Sequence, residues 1–307
     1  MAIVTNELVQ NLFTAWKGDF QKGLSGAEHQ YSKVATVAPS TSRSTTYGWL
    51  GDFPAMRKWI GERVLKSMKE HGYQLTNDDY EGTVVVPKNA IADDEVGVYS
   101  MMFEEMGNSA ANLPDELVFT ALTKGFTTLC YDGQNFFDKD HPVYKEVDGS
   151  GSVVSVSNVL EDPNYTGQPW YVLDCSRVIK PLIFQERQQP NLIIMSDDKD
   201  EALFMRKELR FGVDSRCVAG YSFWQLAYAV KAPLNGDNIW RAIENMRAIR
   251  GDGDKKLGIK PTHLVVPTSL EQAATKALKR GLTVEQGATV DNELQDRLEL
   301  VVADYLG

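Results

Sequence analysis

The sequence predicts an α+β fold, and three features predict it. Residues 96–122 carry one apolar stripe at helical spacing. Residues 150–230 are enriched in β-branched and aromatic side chains, which suit pleated strands. Residues 234–307 then run helix, strand, helix, strand, the order of a small α/β unit. A chain of 307 residues has room for about two domains.

Residues 5–20 read as an amphipathic helix. Thr5 or Asn6 can cap it, and Leu8, Leu12, Phe13, Trp16 and Phe20 share one face. Gly23 and Gly26 in KGLSG are expected to stop it. The stretch YSKVATVAPSTSRSTTYG is rich in Ser and Thr and poor in apolar residues, so it reads as an extended arm with no core of its own. In residues 47–88, Pro54 after Asp52 predicts one helical turn, and 64–68 can continue a helix or begin a strand. HGYQL and YEGTVVV read as strands. Arg57, Lys58, Arg63, Lys66 and Lys69 outweigh Glu62 and Glu70, a basic patch in an acidic chain. It is either a solvated face or a surface that docks on an acidic face of another copy.

The long stripe is Val96, Tyr99, Phe103, Met106, Ala110, Leu113 and Leu117. Pro114 interrupts it, and NLPDE resembles a fresh helix start, yet the stripe keeps its phase. One helix kinked at Pro114, or two nearly end to end, is the expectation. Strands are predicted within SVVSVSNV, WYVLDCSRVI, LFMRKELRFGV and CVAGYSFWQLAYAV. Next come a helix in DNIWRAIENMRAIRG and a strand in THLVV. A second helix in TSLEQAATKALKRG follows, with a capping box of Thr268 and Glu271 or Ser269 and Gln272, and LELVVADYL is the last strand.

The formal net charge is −10, so the chain as a whole gains nothing from counterion release on a phosphate backbone. No run of eighteen apolar residues suggests a membrane span. MAIVTNELVQNLF carries Glu7 early and lacks a basic leader region, so no secretory signal is expected. Cys130, Cys175 and Cys217 are far apart and odd in number, which argues against a disulfide framework and for a reducing setting.

CYDGQNFFDKDHPVY, residues 130–144, is the most enzyme-like stretch, with Cys130, Asp132, Asp138, Asp140 and His141. A Cys nucleophile needs a His within reach, and nothing in this spacing requires one. A metal reading through Asp138, Asp140 and His141 has no second His and no helical pair to support it. Asp132-Gly133 is a turn signal, so the stretch reads as a loop capped by turn residues and anchored by Phe136 and Phe137. RGDGDKKLG lacks the spacing of a phosphate loop and the ligand ladder of a calcium loop, and reads as a Gly-rich turn. No catalytic, cofactor or metal residue is assigned.

Stretches from one end to the other, among them TTYGWLGDFP, EEMGNSAANLPDELVF, CYDGQNFFDKDHPVY, LDCSRVIKPLIFQER and KKLGIKPTHLVVP, resemble the major head subunits of phage Mu and Mu-like prophages. The resemblance implies the Hong Kong 97-type phage capsid fold. Residues 1–45 would be its N-arm, 46–85 the E-loop, and 86–232 the P-domain with a spine helix at about 96–124 and strands behind it. Residues 233–307 would be the α/β A-domain. It further implies pentamers and hexamers closing an icosahedral shell around double-stranded DNA. Partners would be a scaffold protein, a portal and a decoration protein; the subunit would be assembled in the host cytoplasm and carried in the virion. The fold's namesake links its subunits covalently through Lys and Asn; no counterpart is placed here, so a non-covalent shell is expected. Trp16, Trp49, Phe53, Arg57, Trp59 and Arg63 are the candidate contacts between copies, since buried aromatic anchors carry about 2 kcal/mol or more at interface hot spots. Removing residues 1–45 should then leave a soluble subunit that assembles poorly. The alternatives are a cytoplasmic hydrolase using Cys130 and His141, and a phage tail tube or sheath protein.

Overall fold

The computed structural model of the chain describes residues 5–51, 72–93, 96–147, 149–196, 201–285 and 288–306. Helix α1 (Asn6–Gly26) leads through α2 (Tyr31–Val34) into strand β1 (Ala35–Pro39) and β2 (Ser44–Thr46). After β3 (Gln74–Thr76), β4 (Asp78–Pro87) and α3 (Lys88–Ala92) comes the long helix α4 (Val96–Lys124). The middle holds β5 (His141–Tyr144), β6 (Val153–Val156), β7 (Val159–Glu161), β8 (Trp170–Leu173), β9 (Leu182–Met195), α5 (Glu201–Arg206), β10 (Glu208–Tyr221) and β11 (Ala227–Lys231). The last part holds α6 (Gly236–Ala248), β12 (Arg250–Gly251), β13 (Lys255–Lys256), β14 (His263–Pro267), α7 (Glu271–Lys279), β15 (Leu282–Glu285), β16 (Ala288–Asp291) and β17 (Glu299–Ala303).

Two sheets organise these elements. The first has the order β1-β9-β10-β4, with β1 parallel to β9 and the other pairs antiparallel. Helices α1 and α4 cover one of its faces. Trp16 and Phe20 of α1, Phe103 of α4 and Leu209, Phe211 and Val213 of β10 are buried together there. The Trp16 ring stacks on Phe103 at 4.9 Å and meets the edge of Phe211 at 5.1 Å. Side chains alternate across a strand, so Val85, Ile193 and Met195 point the other way and stay exposed. The register sets Val85 beside Arg210 and Arg210 beside Met195, with Gly212 beside Ile193 in the next row.

The second sheet has the order β17-β14-β8-β11-β7. All four residues of β8 are buried, as are Ala227–Val230 of β11 and Leu264–Pro267 of β14. Ile239, Ala242, Ile243 and Met246 of α6 and Ala274 and Leu278 of α7 join this core, as do Val118, Phe119 and Leu122 from the C-terminal half of α4.

Several expectations change. The first helix runs on through Gly23 to Gly26. Gly23 does not stop it, because that glycine is where α1 crosses α4. A Cβ at Gly23 would stand 1.9 Å from the Glu104 carbonyl oxygen, and one at Gly107 would stand 2.1 Å from that of Phe20. The two helices therefore touch backbone to backbone, and a side chain at either position would force them apart. The arm without a core is also corrected. Residues 35–39 pair with β9 of their own chain, and α1 packs on α4 and β10. Trimming residues 1–45 would thus uncover Phe103 and Phe211 and remove an edge strand, rather than leave a sound subunit.

Helix α4 is a single element of 29 residues that continues through Pro114. Asp115, next to that proline, is buried and accepts hydrogen bonds from the amides of Gln30 at 3.1 Å and Tyr31 at 2.5 Å. A carboxylate of the long helix thus caps the start of α2. Residues 203–206, predicted within a strand, belong to helix α5, and β9 lies in a stretch not predicted to be a strand. The capping box before α7 does not form. Residues 268–270 make a 3-10 turn there, and the Ser269 hydroxyl donates to the Gln168 side chain instead. A division at 232/233 would cut the second sheet, which joins β7, β8 and β11 from one side to β14 and β17 from the other.

Candidate assembly surfaces and the buried Cys130–His141 loop

The loop after α4 is held mostly by its own polar groups. Cys130 and Gln134 close a turn, with the Cys130 amide donating to the Gln134 carbonyl at 2.8 Å, and Leu129 bridges to Asn135. Asp138 caps the next turn through the amides of Lys139 and Asp140. Asn158, fully buried, donates to the Phe136 carbonyl at 2.8 Å and accepts from the Asp138 amide at 2.9 Å. Phe136 stacks on Tyr221 at 4.4 Å and Phe137 on Tyr171 at 5.3 Å. The expected anchors, Phe136 and Phe137, therefore do seat the loop in the main core.

His141 is buried and lies flat on Trp224, ring centroids 3.9 Å apart. Its Nδ1 meets Asp132 Oδ2 at 2.7 Å, and the Cys130 thiol donates to Asp132 Oδ1 at 3.1 Å. Asp132 stands between thiol and imidazole, so the hydrogen bond by which a His would deprotonate a Cys is replaced by one to a carboxylate. Burial, followed by the charge of Asp132, pushes the Cys130 thiol far above its ordinary range, the reverse of what a nucleophilic cysteine needs. Asp138 and Asp140 do not join His141; Asp138 is spent on its own turn and Asp140 is exposed. The partner of His141 is Asp132, which the Asp-Gly turn signal had hidden.

Trp16, a predicted contact between copies, is 2% exposed within its own chain and is not available to a neighbour. Trp49 is 38% exposed while its ring meets Phe223 at 5.7 Å and Tyr47 at 6.0 Å, so it is both anchored and open. Phe53, Arg57, Trp59 and Arg63 lie outside the described residues. Two further apolar surfaces escaped sequence reading. One is the bare face of the first sheet, with Val85, Ile193 and Met195; the other is the outer face of α4, where Val98, Met101 and Met102 are exposed, Met101 by 68%. The spacing of these three, by three and four residues, was legible, but it lay beside a stronger stripe. RGDGDKKLG forms the tight β12–β13 hairpin, with Gly253 at φ 69°.

The chain matches the family described as Mu-like prophage major head subunit gpT over residues 9–306. It is 52% identical over 304 residues to the major capsid protein of Escherichia phage Mu, covering 99% of this chain and all of that one. Its structure superposes on the procapsid subunit of bacteriophage JBD30 with a TM-score of 0.86 at 45% identity, covering 99% of this chain and all of that one. Against the capsid of the same phage the TM-score is 0.76 at 34% identity, with both chains covered in full. The Cys130–His141 loop, the long α4 and the two sheets are thus parts of the Hong Kong 97-type capsid fold, and the chain belongs to the Mu-like prophage major head subunit family, the structural proteins that build the shell of a phage head.

Proposed function

We propose that this subunit closes, as pentamers and hexamers, into an icosahedral shell around double-stranded DNA, without covalent links between copies and without catalysis. The observation that carries the reading is the unfinished first sheet. Its inner face is sealed by α1 and α4, while Val85, Ile193 and Met195 on its outer face stay about half exposed among the described residues. At the same end α4 exposes Val98, Met101 and Met102. Apolar surface of this kind is stabilised when another molecule covers it, at about 25 cal/mol per Å² removed from water. Trp49 is the one contact candidate among the described residues that keeps an open aromatic face.

Helix α4 with β9 and β10 forms the peripheral domain in this reading, the second sheet with α6 and α7 forms the axial domain, and β2, which ends at Thr46, pairs with β3 at the base of an E-loop read as residues 46–85. The net charge of −10 suits an interior along which packaged DNA slides without adhering. Family resemblance supplies the remaining partners, a scaffold, a portal and a decoration protein, and assembly in the host cytoplasm before the subunit enters the virion. Size-exclusion chromatography with negative-stain microscopy of the purified chain tests the reading. Closed shells or capsomers are expected; tubes or a single small oligomer that never progresses would overturn it.

A further inference from the structure

Asp132 joins a buried thiol to a buried imidazole. Its Oδ1 accepts from the Cys130 thiol at 3.1 Å and from the Gln134 amide at 3.0 Å, and its Oδ2 meets His141 Nδ1 at 2.7 Å. The ligand atoms of Cys130, Asp132 and His141 all lie within 4.8 Å of one another. Cys130 and His141 are buried, and the Asp132 side chain is 9% exposed. Among the described residues His141 is the only ion-pair partner of Asp132, and no Lys or Arg reaches it.

Cys130 brings a thiol, Asp132 two carboxylate oxygens and His141 a ring nitrogen to one enclosed spot, and among the described residues the His141 Nε2 has no hydrogen-bond partner.

We infer that Cys130, Asp132 and His141 form a closed binding site for a divalent transition-metal ion of the zinc class. Thiolate, imidazole and carboxylate are the three donor types such an ion takes, and both Asp132 oxygens face the cluster, so a bidentate carboxylate completes four donors. The proton count closes without any redox step. The Cys130 thiol releases its proton to solvent as the metal–sulfur bond forms. A neutral imidazole shifts its proton from Nδ1 to Nε2 on binding, so one proton is released per ion bound. The bound ion ties the turn after α4 to the start of β5 and pins His141 against Trp224.

The site is enclosed, so the ion enters during folding. The test is to unfold the full chain in denaturant with a reductant, refold it with Co²⁺, and remove free ion by gel filtration. About one Co²⁺ per chain, with a thiolate-to-cobalt charge-transfer band that Zn²⁺ abolishes, is expected, as is one proton released per ion. Cys130→Ala should lose the band and the bound ion while keeping its far-ultraviolet circular dichroism; Cys175→Ala should keep both. Wild-type chain that refolds to native circular dichroism without retaining Co²⁺ would overturn the site, as would a band that persists in Cys130→Ala. If Cys130→Ala fails to refold, Cys130→Ser is read in its place, and the wild-type stoichiometry still decides.

Discussion

The two sheets of this subunit are finished to different degrees. In the second sheet, β8, β11 and β14 bury nearly every residue, with α6 and α7 against them and the end of α4 in the same core. In the first, alternate residues of β4 and of the C-terminal part of β9 are exposed, and three of those near one end are large and apolar. A sheet covered on both faces stabilises its own chain. A sheet covered on one face holds its shape and keeps apolar surface for other molecules. One subunit thus has a sheet sealed within its own chain and, in the proposed reading, a sheet whose hydrophobic burial assembly completes.

The largest expected effect lies in the finished sheet. Trp170 is fully buried on β8 and its indole N–H donates to the Ala232 carbonyl at 2.8 Å. Trp170→Ala should cost about 3–5 kcal/mol, because it leaves a cavity and an unpaired carbonyl. Urea unfolding of the soluble subunit measures it, and a loss below 1 kcal/mol would mean that this sheet is not the stabilising one.

A smaller loss is expected where the helices seal the other sheet. Gly107→Val places its side chain against the backbone of Phe20, so α1 must lift from α4. Overpacking of this kind costs about 1–3 kcal/mol, and α1 should become the first segment cut by protease. Digestion that starts elsewhere and an unchanged Trp16 fluorescence would show that the close crossing is dispensable.

On the bare face the stability change should nearly vanish. Ile193→Glu with Met195→Glu should shift subunit stability by no more than about 0.5 kcal/mol per site, since both side chains are already about half exposed on the outer face. Assembly should nevertheless fall sharply, because each copy would then bury two carboxylates at a contact. Shells of normal yield and size from this variant, seen by negative stain, would remove the first sheet's outer face from the contacts between copies.

Much of this architecture could be read locally. The stripe through Phe103 gave α4 its place and length, since apolar residues three and four apart imply a buried face whatever covers it. THLVV and LELVVADYL gave β14 and β17 for the same reason: short apolar runs imply a covered strand. The 130–144 loop was legible as a turn structure seated on Phe136 and Phe137. Strand β9 was not, because its middle, ERQQPN, faces solvent and resembles a loop until β10 lies beside it.

Local pattern fixed which residues need cover: the α4 stripe, the aromatic face of α1 and the strands of the C-terminal part. Only the three-dimensional arrangement decided what supplies that cover. It put Trp16 inside its own chain, made Gly23 and Gly107 a helix crossing and brought Asp132 between Cys130 and His141. The physical reason is range. Periodicity comes from hydrogen-bond geometry over a few neighbouring residues, whereas a partner is chosen by packing between segments far apart in the chain, as when Ala35 pairs with Leu182, and a glycine or an aspartate looks the same in sequence whether it ends a helix, turns a loop or fills a contact.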